Sequence, residues 1–291
     1  RGLTKLRSTY VDSLISKVGE DGRIRTTYSQ VAVNTGRLAS FNPNLQNIPV
    51  TSEYGVKVKS CFVADTGKTF ISFDFSQQEL RVLAHLSGED TLIKAFQDGR
   101  DVHTITASQL FGVAYEDVAK EQRMIGKTIN FGIIYGMSSY GMSQGLTIQV
   151  EDAQKFIDAF YKTYPKIHTF YEDYIKNGKI NSFVETLLGR RRYVFEFSDK
   201  KFVDNSMRRV LMNYPIQGSA ADLMRKAMVM IQKDILDQDP AIKLLLQIHD
   251  DLVFEVPNNI DQKEFIEKVR RIMCDIYPLA VPVVVDAKVG S

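Results

Sequence analysis

Two adjacent carboxylates, Asp250 and Asp251, interrupt an apolar run at 244–256 that reads LLLQIHDDLVFEV. On each side of the pair the residues alternate in hydropathy, which predicts two half-buried strands that meet at the acidic residues. Asp is common in turns, so an ordinary hairpin tip is one interpretation. Neighbouring carboxylates repel each other, however, and a divalent cation would relieve that repulsion. Mg²⁺ takes only one or two protein carboxylates and leaves positions for water and phosphate.

A third carboxylate, Asp74, closes a strand predicted at 68–74 and precedes a helix predicted at 77–86. Ligand sites collect at the carboxyl ends of strands in sheet proteins. Glu79 follows in the first turn of the helix, facing the same end of the strand. A helix-capping role for a polar residue here is the alternative. If the sheet places Asp74 beside Asp250, the sequence predicts a metal centre.

A second chemical pattern repeats every four residues along a helix predicted at 121–136. Arg123, Lys127, Phe131 and Tyr135 lie on one slowly turning stripe about 18 Å long. Two cations four residues apart repel each other, and cations near a helix start oppose its dipole. A bound polyanion would explain this arrangement, and the stripe has the length of a triphosphate, a nucleoside and a base pair. An exposed basic helix end followed by a buried aromatic end is the alternative.

Composition limits the class of protein more than its partners. The 291 residues are 44% hydrophobic and 25% charged, as in ordinary soluble globular proteins, and a net charge of +2 indicates no partner by itself. A local basic strip at 179–209 contains the run Arg190-Arg191-Arg192, which fits either phosphate contact or a solvated loop. Cys61 and Cys274 lack metal-ligand or redox spacing and are expected to be reduced. No signal peptide, membrane span or repeat is expected.

Hydropathy and turn residues predict the elements that must position these groups. In chain order they are a helix at 10–18, a β-prone run at 23–33, an ordered polar loop at 34–49, short helices at 88–120, further helices at 137–176, a hairpin at 184–194, a helical pattern at 208–226 interrupted at Pro215, a helix at 261–276 and a closing strand at 281–289.

Several polar side chains lie on these connecting elements. In the loop at 34–49, Arg37, Asn44, Gln46 and Asn47 could contact a sugar-phosphate backbone. Further along, the helical pattern at 208–226 contains Asn213, Gln217 and Asp222. Asn and Gln amides can hydrogen-bond base edges or sugars, although such residues usually lie on a protein surface.

Three segments resemble the three motifs of family A DNA polymerases. They are DFSQQELR from Asp74, the Arg-xxx-Lys-xxx-Phe-xxx-Tyr-Gly stripe from Arg123, and QIHDD from Gln247. The further matches are TGRL at 35–38, NPNLQNIP at 42–49, DVHT at 101–104 and PIQG at 215–218. The resemblance runs from about Leu3 to Val289 in the order of the family.

This resemblance implies an α+β protein with the polymerase right-hand fold. An antiparallel β-sheet palm would be interrupted by an inserted helical fingers subdomain, with the thumb largely absent. Residues 1–79 would form the N-terminal part of the palm with a remnant of the thumb base, 80–198 the fingers and 199–291 the C-terminal part of the palm. A monomer is expected, in the cytoplasm of a bacterial or phage-infected cell or in a eukaryotic organelle.

The implied activity is template-directed transfer of deoxynucleotides to a primer 3′-hydroxyl, with release of pyrophosphate. Two Mg²⁺ ions, for which Mn²⁺ could substitute, would be held by Asp74, Asp250 and the backbone carbonyl of Phe75, and Asp251 would join the catalytic set. The substrate would be a deoxynucleoside triphosphate and the partner primer-template DNA, with no membrane. Without the thumb, the fragment is expected to be weakly processive.

The resemblance also assigns roles to side chains around the metals. Arg123, Lys127 and His103 would bind the triphosphate, Phe131 would pack on the sugar, and Tyr135 would lie by the templating base. Gln77 would also contact the nucleotide, and Glu79 would fill the space that a ribose 2′-hydroxyl needs. The expected primer-template contacts are Arg37, Asn44, Asn47, Asn213, Gln217 and His249.

Three positions depart from the pattern of the family. Phe75 replaces a usual Tyr, Gln78 replaces a usual aliphatic residue, and Asp251 replaces a usual Glu, which puts its share of metal or water contact in doubt. Two alternatives remain. A single-subunit RNA polymerase shares the Lys-to-Tyr-Gly pattern, although Glu79 argues against it. An inactive nucleic-acid-binding relative is the other, although intact Asp74 and Asp250 argue against that.

Overall fold

The structure is a computed structural model, and the residues that it describes are 7–49, 52–194 and 201–290, with only the backbone at residue 9 and at 201–206. The chain divides into two compact units, each built around its own core. The first contains the chain up to Ser76, Leu223–Ile276 and the chain from Val284; the second contains Gln77–Asp222 and Tyr277–Val283. Helices and antiparallel strands are both present, so the predicted α+β class is confirmed.

The strands of the described residues form three antiparallel sheets, of which the largest has the order β6-β7-β3-β8. They are β1 (Thr27–Ser29), β2 (Ala39–Phe41), β3 (Lys68–Phe75), β4 (Phe183–Glu185), β5 (Arg191–Tyr193), β6 (Lys243–Ile248), β7 (Asp251–Pro257) and β8 (Val285–Gly290). The hairpins predicted at 184–194 and around the acidic pair are confirmed as β4-β5 and β6-β7.

The helices account for most of the second unit. The α-helices of four residues or more are α1 (Glu53–Ser60), α2 (Gln78–Ser87), α3 (Asp90–Gln97), α4 (Val102–Phe111), α5 (Lys120–Ile134), α6 (Ser139–Leu146), α7 (Val150–Thr163), α8 (Pro165–Asn181), α9 (Lys201–Ile231) and α10 (Gln262–Cys274). Among the residues that the structure describes, none of these is long and apolar enough to cross a bilayer.

Apolar alternation explains the large sheet. Ile71 and Phe73 on β3 and Leu252 and Phe254 on β7 have no exposed surface. The ring of Phe265 on α10 packs edge-on against Phe73 and Phe254, with centroids 5.8 and 5.5 Å apart. Because successive strand residues point to opposite faces, the acidic residues lie on the face away from this core.

The predicted helix at 10–18 is wrong in its extent. A π-helical segment, Arg7–Asp12, leads into one α-helical turn that ends at Ile15. A bridge between Val18 and Ile24 then turns the chain back, so Val18 lies outside the helix and is exposed. Turn formation at Gly19 to Gly22 therefore overrides the apolar spacing.

The β-prone run at 23–33 was also predicted to be longer than it is. Only β1 forms, because the hydroxyl of Ser29 accepts hydrogen bonds from the backbone N–H groups of Val31 and Ala32. Such a local side-chain turn competes with strand pairing. Val31 is consequently 89% exposed.

Pro215 does not interrupt the helix, contrary to the prediction. Helix α9 continues through it from Lys201 to Ile231. A proline inside a helix costs about 3 kcal/mol or more. The buried side chains around it, including Leu211, Tyr214 and Ile216, provide apolar packing that offsets this cost.

Helices α4 and α5 approach closely through a glycine. A Cβ added at Gly126 would lie 2.4 Å from the carbonyl oxygen of His103 and 3.2 Å from the Cβ of Ala107. No larger residue fits between these backbones, so Gly126 sets how near α4 comes to α5. The predicted nucleotide-binding residues of the two helices are neighbours for this reason.

Gln78 gives a prediction on stability. Its side chain is 3% exposed, and neither amide atom has a hydrogen-bond partner. The near-isosteric change Gln78→Met should raise the free energy of unfolding by about 1–3 kcal/mol, because each unpaired buried polar group is costly. Urea unfolding measures this. The exposed Gln144, on α6, is the control: Gln144→Met should change stability little, and equal effects at both positions would contradict the interpretation.

Candidate active site

The first unit brings three aspartates into a row. In the strand register, Asp74 on β3 lies opposite Asp251 on β7 and opposite Asp286 on β8. Residues directly opposite each other in antiparallel strands share a face, and like charges there repel. The neighbourhood predicted for Asp74 and the acidic hairpin is therefore present. Asp286 was not predicted, because nothing in the sequence places its strand next to β3.

Asp250 lies in the tight turn between β6 and β7. The turn contains His249 and Asp250, and His249 has a positive φ of 55°. The backbone oxygen of Asp250 accepts a hydrogen bond from the N–H of Phe75 at 3.0 Å, which ties the turn to the end of β3. Arg37 approaches the Asp250 carboxylate at 3.6 Å. The acidic hairpin is thus fixed beside the strand that carries Asp74.

The carboxylates are held in an unfavourable state. Burial and repulsion by Asp74 raise the pKa of Asp251 to about 7, and one oxygen of Asp251 is buried without a hydrogen-bond partner. Burial, with repulsion by Asp250 and Asp286, raises the pKa of Asp74 to about 6. Asp74 is solvent-exposed, so water screens part of its shift, and Asp251 is the more strongly perturbed. Burial also raises the pKa of Asp250, while Arg37 opposes it.

These features fit a divalent cation. A bound cation would lower the raised pKa values of these carboxyls and would give the unpartnered buried oxygen a partner. In the described part of the chain, no cluster of three or more His, Cys, Asp or Glu side chains could hold a metal by itself. That is compatible with Mg²⁺, which uses few protein carboxylates and completes its shell with water and phosphate.

The carboxylates give a pH-dependent prediction. A carboxyl whose pKa is raised on folding stabilises the fold below its unfolded pKa, near 3.8, and that stability is lost as pH rises through about 7. In EDTA, Asp251→Asn should therefore gain about 1–2 kcal/mol over wild type between pH 4 and 8, after allowance for screening by water. Urea midpoints at several pH values measure the difference.

Magnesium provides the control for this prediction. Millimolar Mg²⁺ should bind the ionised carboxylates of the wild type and reduce the difference in stability between Asp251→Asn and wild type at pH 8. A stability difference that falls with pH, or that ignores Mg²⁺, would contradict the assignment.

The loop at 34–49 is ordered and is attached to the same hairpin. The amide of Gln46 donates to the side chain and backbone oxygens of Gln247, at 3.0 and 3.1 Å. Asn44 and Asn47 are exposed, but the Asn44 side chain is occupied by the N–H of Gln46. The two asparagines and Arg37 remain predicted primer-template residues, as does the exposed His249.

The second unit contains the predicted nucleotide-binding stripe on α5. The rings of Phe131 and Tyr135 are stacked with centroids 6.4 Å apart, and the hydroxyl of Tyr135 donates to Glu79 at 2.8 Å. Glu79 is only 4% exposed. Lys127 is exposed and has no acidic partner among the described residues. The stripe is therefore formed, and its role remains a prediction.

One argument for the stripe was incomplete. Arg123 is not an uncompensated cation: its guanidinium contacts the carboxylate of Asp101 at 2.7 Å. Asp101 also caps α4 through the N–H of Thr104 at 2.7 Å. The contact of Arg123 with Asp101 was not predicted, because a partner 22 residues away on another helix has no signal in helical spacing.

The other predicted residues are placed as follows. Gln77 precedes α2 in a left-handed conformation, φ 51°, and its amide oxygen is buried without a partner. Asn213 and Gln217 lie one turn apart on α9, so their side chains share a face. The Asn213 amide oxygen is likewise buried and unpartnered. His103 is buried and contacts the ring of Phe131, with centroids 5.7 Å apart.

An antiparallel sheet bearing an acidic hairpin, together with a helical unit bearing a cation–aromatic helix, defines the class of polymerase domains. Residues 1–291 match the family described as DNA polymerase family A, and the chain belongs to that family. The RNA polymerase interpretation is not favoured.

Relatives and a solved structure agree with this membership. The chain is 45% identical over 297 residues to "DNA polymerase I, thermostable" of Thermus aquaticus, covering 100% of this chain and 35% of that protein. It is 44% identical over 292 residues to DNA polymerase I of Chloroflexus aurantiacus, covering 100% of this chain and 31% of that protein. The chain therefore spans about a third of the length of these curated relatives.

A similar solved structure is the POL domain of Pol1 from M. smegmatis in complex with DNA primer-template and dNTP. The TM-score is 0.95 at 39% sequence identity, and the match covers 100% of this chain and 51% of that chain. The right-hand polymerase fold is thereby the fold of this chain.

Proposed function

We propose that this chain adds deoxynucleotides to a primer 3′-hydroxyl under the direction of a template strand and releases pyrophosphate. The observation that carries the proposal is the group of carboxylates at the end of β3, with raised pKa values and a buried oxygen that lacks a partner. Membership of family A supports the same activity. In this proposal residues 1–79 and 199–291 form the palm, and residues 80–198 form the fingers.

The metal-binding groups would be the side chains of Asp74 and Asp250 and the backbone carbonyl of Phe75, with Asp251 as a further carboxylate. When bound, two Mg²⁺ ions, or Mn²⁺ in their place, supply charge that neutralises the phosphates and makes the primer hydroxyl a better nucleophile. The chain's own part is to hold the carboxylates on a rigid sheet edge, where their repulsion selects for cation binding.

The nucleotide would bind along the stripe on α5. The exposed Lys127 binds phosphate oxygens, and Arg123 does so while it keeps its ion pair with Asp101. His103 and Gln77 contribute polar contacts. The stacked rings of Phe131 and Tyr135 offer a surface for the sugar and the base pair.

Primer-template DNA would lie along the polar side chains of the loop at 34–49 and of α9. Arg37, Asn44, Asn47 and His249 belong to the first of these groups, whereas Asn213 and Gln217 belong to the second. Phosphate contacts position the duplex, and the amides hydrogen-bond sugars or base edges. We further propose that the enzyme acts as a monomer in the cytoplasm.

Primer extension tests the proposal directly. The whole chain is incubated with a primer on a template of defined sequence, with each deoxynucleoside triphosphate alone, in Mg²⁺, in Mn²⁺ and in EDTA. We expect addition of the complementary nucleotide only, and none in EDTA. Equal use of all four nucleotides, or no extension with either metal, would overturn the proposed function.

Lys127→Ala tests the role of the stripe. The change should raise the KM for the nucleotide about tenfold or more, because it removes a charge-assisted contact to phosphate. Affinity for primer-template should change little. Steady-state kinetics and a DNA-binding titration measure the two effects. Lys120→Ala, an exposed lysine at the start of the same helix, is the control. Equal kinetics in both variants would show that Lys127 is a solvated surface residue with no role in nucleotide binding.

A further inference from the structure

His103 is one end of a buried hydrogen-bonded chain in the second unit. The amide nitrogen of Asn130 lies 2.9 Å from Nδ1 of His103, and the hydroxyl of Thr106 lies 2.9 Å from the amide oxygen of Asn130. The Thr106 hydroxyl is also 3.0 Å from that of Tyr164. These four side chains are at most 4% exposed. Apart from His103, none of them belongs to the residues that the proposed function uses.

The direction of these hydrogen bonds determines where the imidazole proton lies. The amide nitrogen of Asn130 carries two N–H groups and no free lone pair, so it can only donate to Nδ1 of His103. A ring nitrogen that accepts carries no proton, and the neutral ring must then carry it on Nε2. The Thr106 hydroxyl has a single proton and lies 2.9 Å from two acceptors, the Asn130 amide oxygen and the backbone oxygen of Val102, so it shares that proton between them; its oxygen also lies 3.0 Å from the Tyr164 hydroxyl.

The surroundings keep this imidazole neutral. Burial lowers the pKa of His103 to about 4; among the nearby charges Asp101 opposes this shift, and Arg123 and Lys127 add to it. Nε2 makes no hydrogen bond within the described residues, so it is available to an atom of a ligand. His103 can therefore offer one N–H group, from Nε2, over the whole neutral range.

We propose that Asn130 is a positioning residue that fixes His103 as a neutral donor at Nε2, directed to a phosphate oxygen of the incoming nucleotide. Thr106 and Tyr164 hold the Asn130 amide in the orientation that this requires. The assignment of the phosphate rests on the proposed function, whereas the assignment of the proton does not. With Arg123 and Lys127 already positive nearby, a neutral donor adds a hydrogen bond without the cost of burying a cation at His103.

The first test observes the proton itself. Long-range ¹H–¹⁵N spectra of the whole chain with labelled histidine distinguish the two tautomers, and His103→Gln identifies the signal among the four histidines of the chain. We expect the Nε2–H tautomer in the wild type from pH 6 to 9. The Nδ1–H tautomer, which the reversed amide would impose, or an imidazolium at pH 7 would overturn the proposal, whether or not the chain extends primers.

The second test changes the partner. In Asn130→Asp the carboxylate accepts from Nδ1, so the ring should shift to Nδ1–H or imidazolium at pH 7. The KM for the nucleotide should then rise about tenfold and vary with pH between 6 and 8, with kcat changed less. Asn181→Asp, an exposed position at the end of α8, should alter neither the spectrum nor the KM.

A second variant covers the case in which Asn130→Asp does not fold. Thr106→Val removes the hydroxyl that orients the amide but keeps the shape of the side chain, and it should give a mixture of the two tautomers. A wild-type spectrum in either variant would show that the hydrogen-bonded side chains of Asn130 and Thr106 do not fix the tautomer of His103. The expected tautomers combined with an unchanged KM would refute the phosphate contact alone, and a loss of all primer extension in the wild type would refute the proposed function instead.

Discussion

We expect Asp74→Asn and Asp250→Asn each to lower the rate of primer extension by at least about 100-fold while the protein stays folded. The reason is that each substitution removes one unit of negative charge and an oxygen that, in the proposed function, binds the metal where phosphate charge must be neutralised. Neither residue belongs to the apolar face of the sheet, so the core is intact in both variants. Single-turnover extension at saturating nucleotide measures the loss, and circular dichroism with urea unfolding measures folding.

Asp286→Asn is the matched control for these two variants. Asp286 lies opposite Asp74 on the other side of β3 and raises its pKa, yet it is not among the proposed metal-binding residues. Its substitution should leave extension within a few-fold of wild type and lower the pKa of Asp74. If Asp286→Asn is as damaging as Asp74→Asn, removal of charge from the row is sufficient to stop catalysis, and the specific assignment of Asp74 is wrong.

The carboxylates at the edge of the large sheet lower the stability of the fold. Asp251 is partly buried, repelled by Asp74 and short of one hydrogen bond. A group of residues that lowers the stability of the fold is expected to be functional, because a bound ligand, which is not part of the chain, can supply the missing stabilisation. The buried amide of Gln78 is a different case, since neither of its polar atoms has a hydrogen-bond partner and the same chain should be more stable with an apolar residue there.

What the sequence predicted well depends on short-range patterns. The alternating pattern over 252–256 predicts β7 well, because a strand with one buried face must alternate. Strand β6 also forms, but a bulge between Leu244 and Leu246 shifts its register, and its buried residue is Gln247. The spacing of four residues on α5 places the cations and rings on one stripe, because residues four apart lie on the same face of a helix. The end of α5 is also determined by the local sequence: Tyr135 is the C-cap residue, and Gly136 follows with a φ of 63°.

What it did not predict depends on contacts between distant segments. The row that includes Asp286 requires β8 to pair with β3, more than 200 residues earlier, and no local pattern specifies that pairing. The ion pair of Arg123 with Asp101 and the hydrogen bond of Asn130 to His103 both join α4 to α5. They follow from the close approach at Gly126, which is visible only once the two helices are packed.

Glu79→Ala should raise the use of ribonucleotides relative to deoxynucleotides by about two orders of magnitude or more. In the wild type the Glu79 carboxylate is buried and accepts a hydrogen bond from the hydroxyl of Tyr135 at 2.8 Å, so its position is fixed rather than free to move aside. A fixed side chain can exclude a 2′-hydroxyl by bulk and leave its hydrogen bonds unmet, and exclusion discriminates more strongly than attraction. The measurement is the ratio of kcat/KM for the two sugars in wild type and variant.

Two further variants distinguish the effect of the volume of the Glu79 side chain from the effect of its hydrogen bond with Tyr135. Glu79→Gln keeps the volume and an oxygen that can accept from Tyr135, so it should retain most of the discrimination. Tyr135→Phe keeps the ring but removes the hydroxyl that holds Glu79, and it should give an intermediate ratio. Because Glu79→Ala also removes the carboxylate to which the Tyr135 hydroxyl donates, some loss of deoxynucleotide activity is expected with it. A wild type that already uses ribonucleotides well, or a ratio that is the same in all variants, would show that selection of the sugar lies elsewhere.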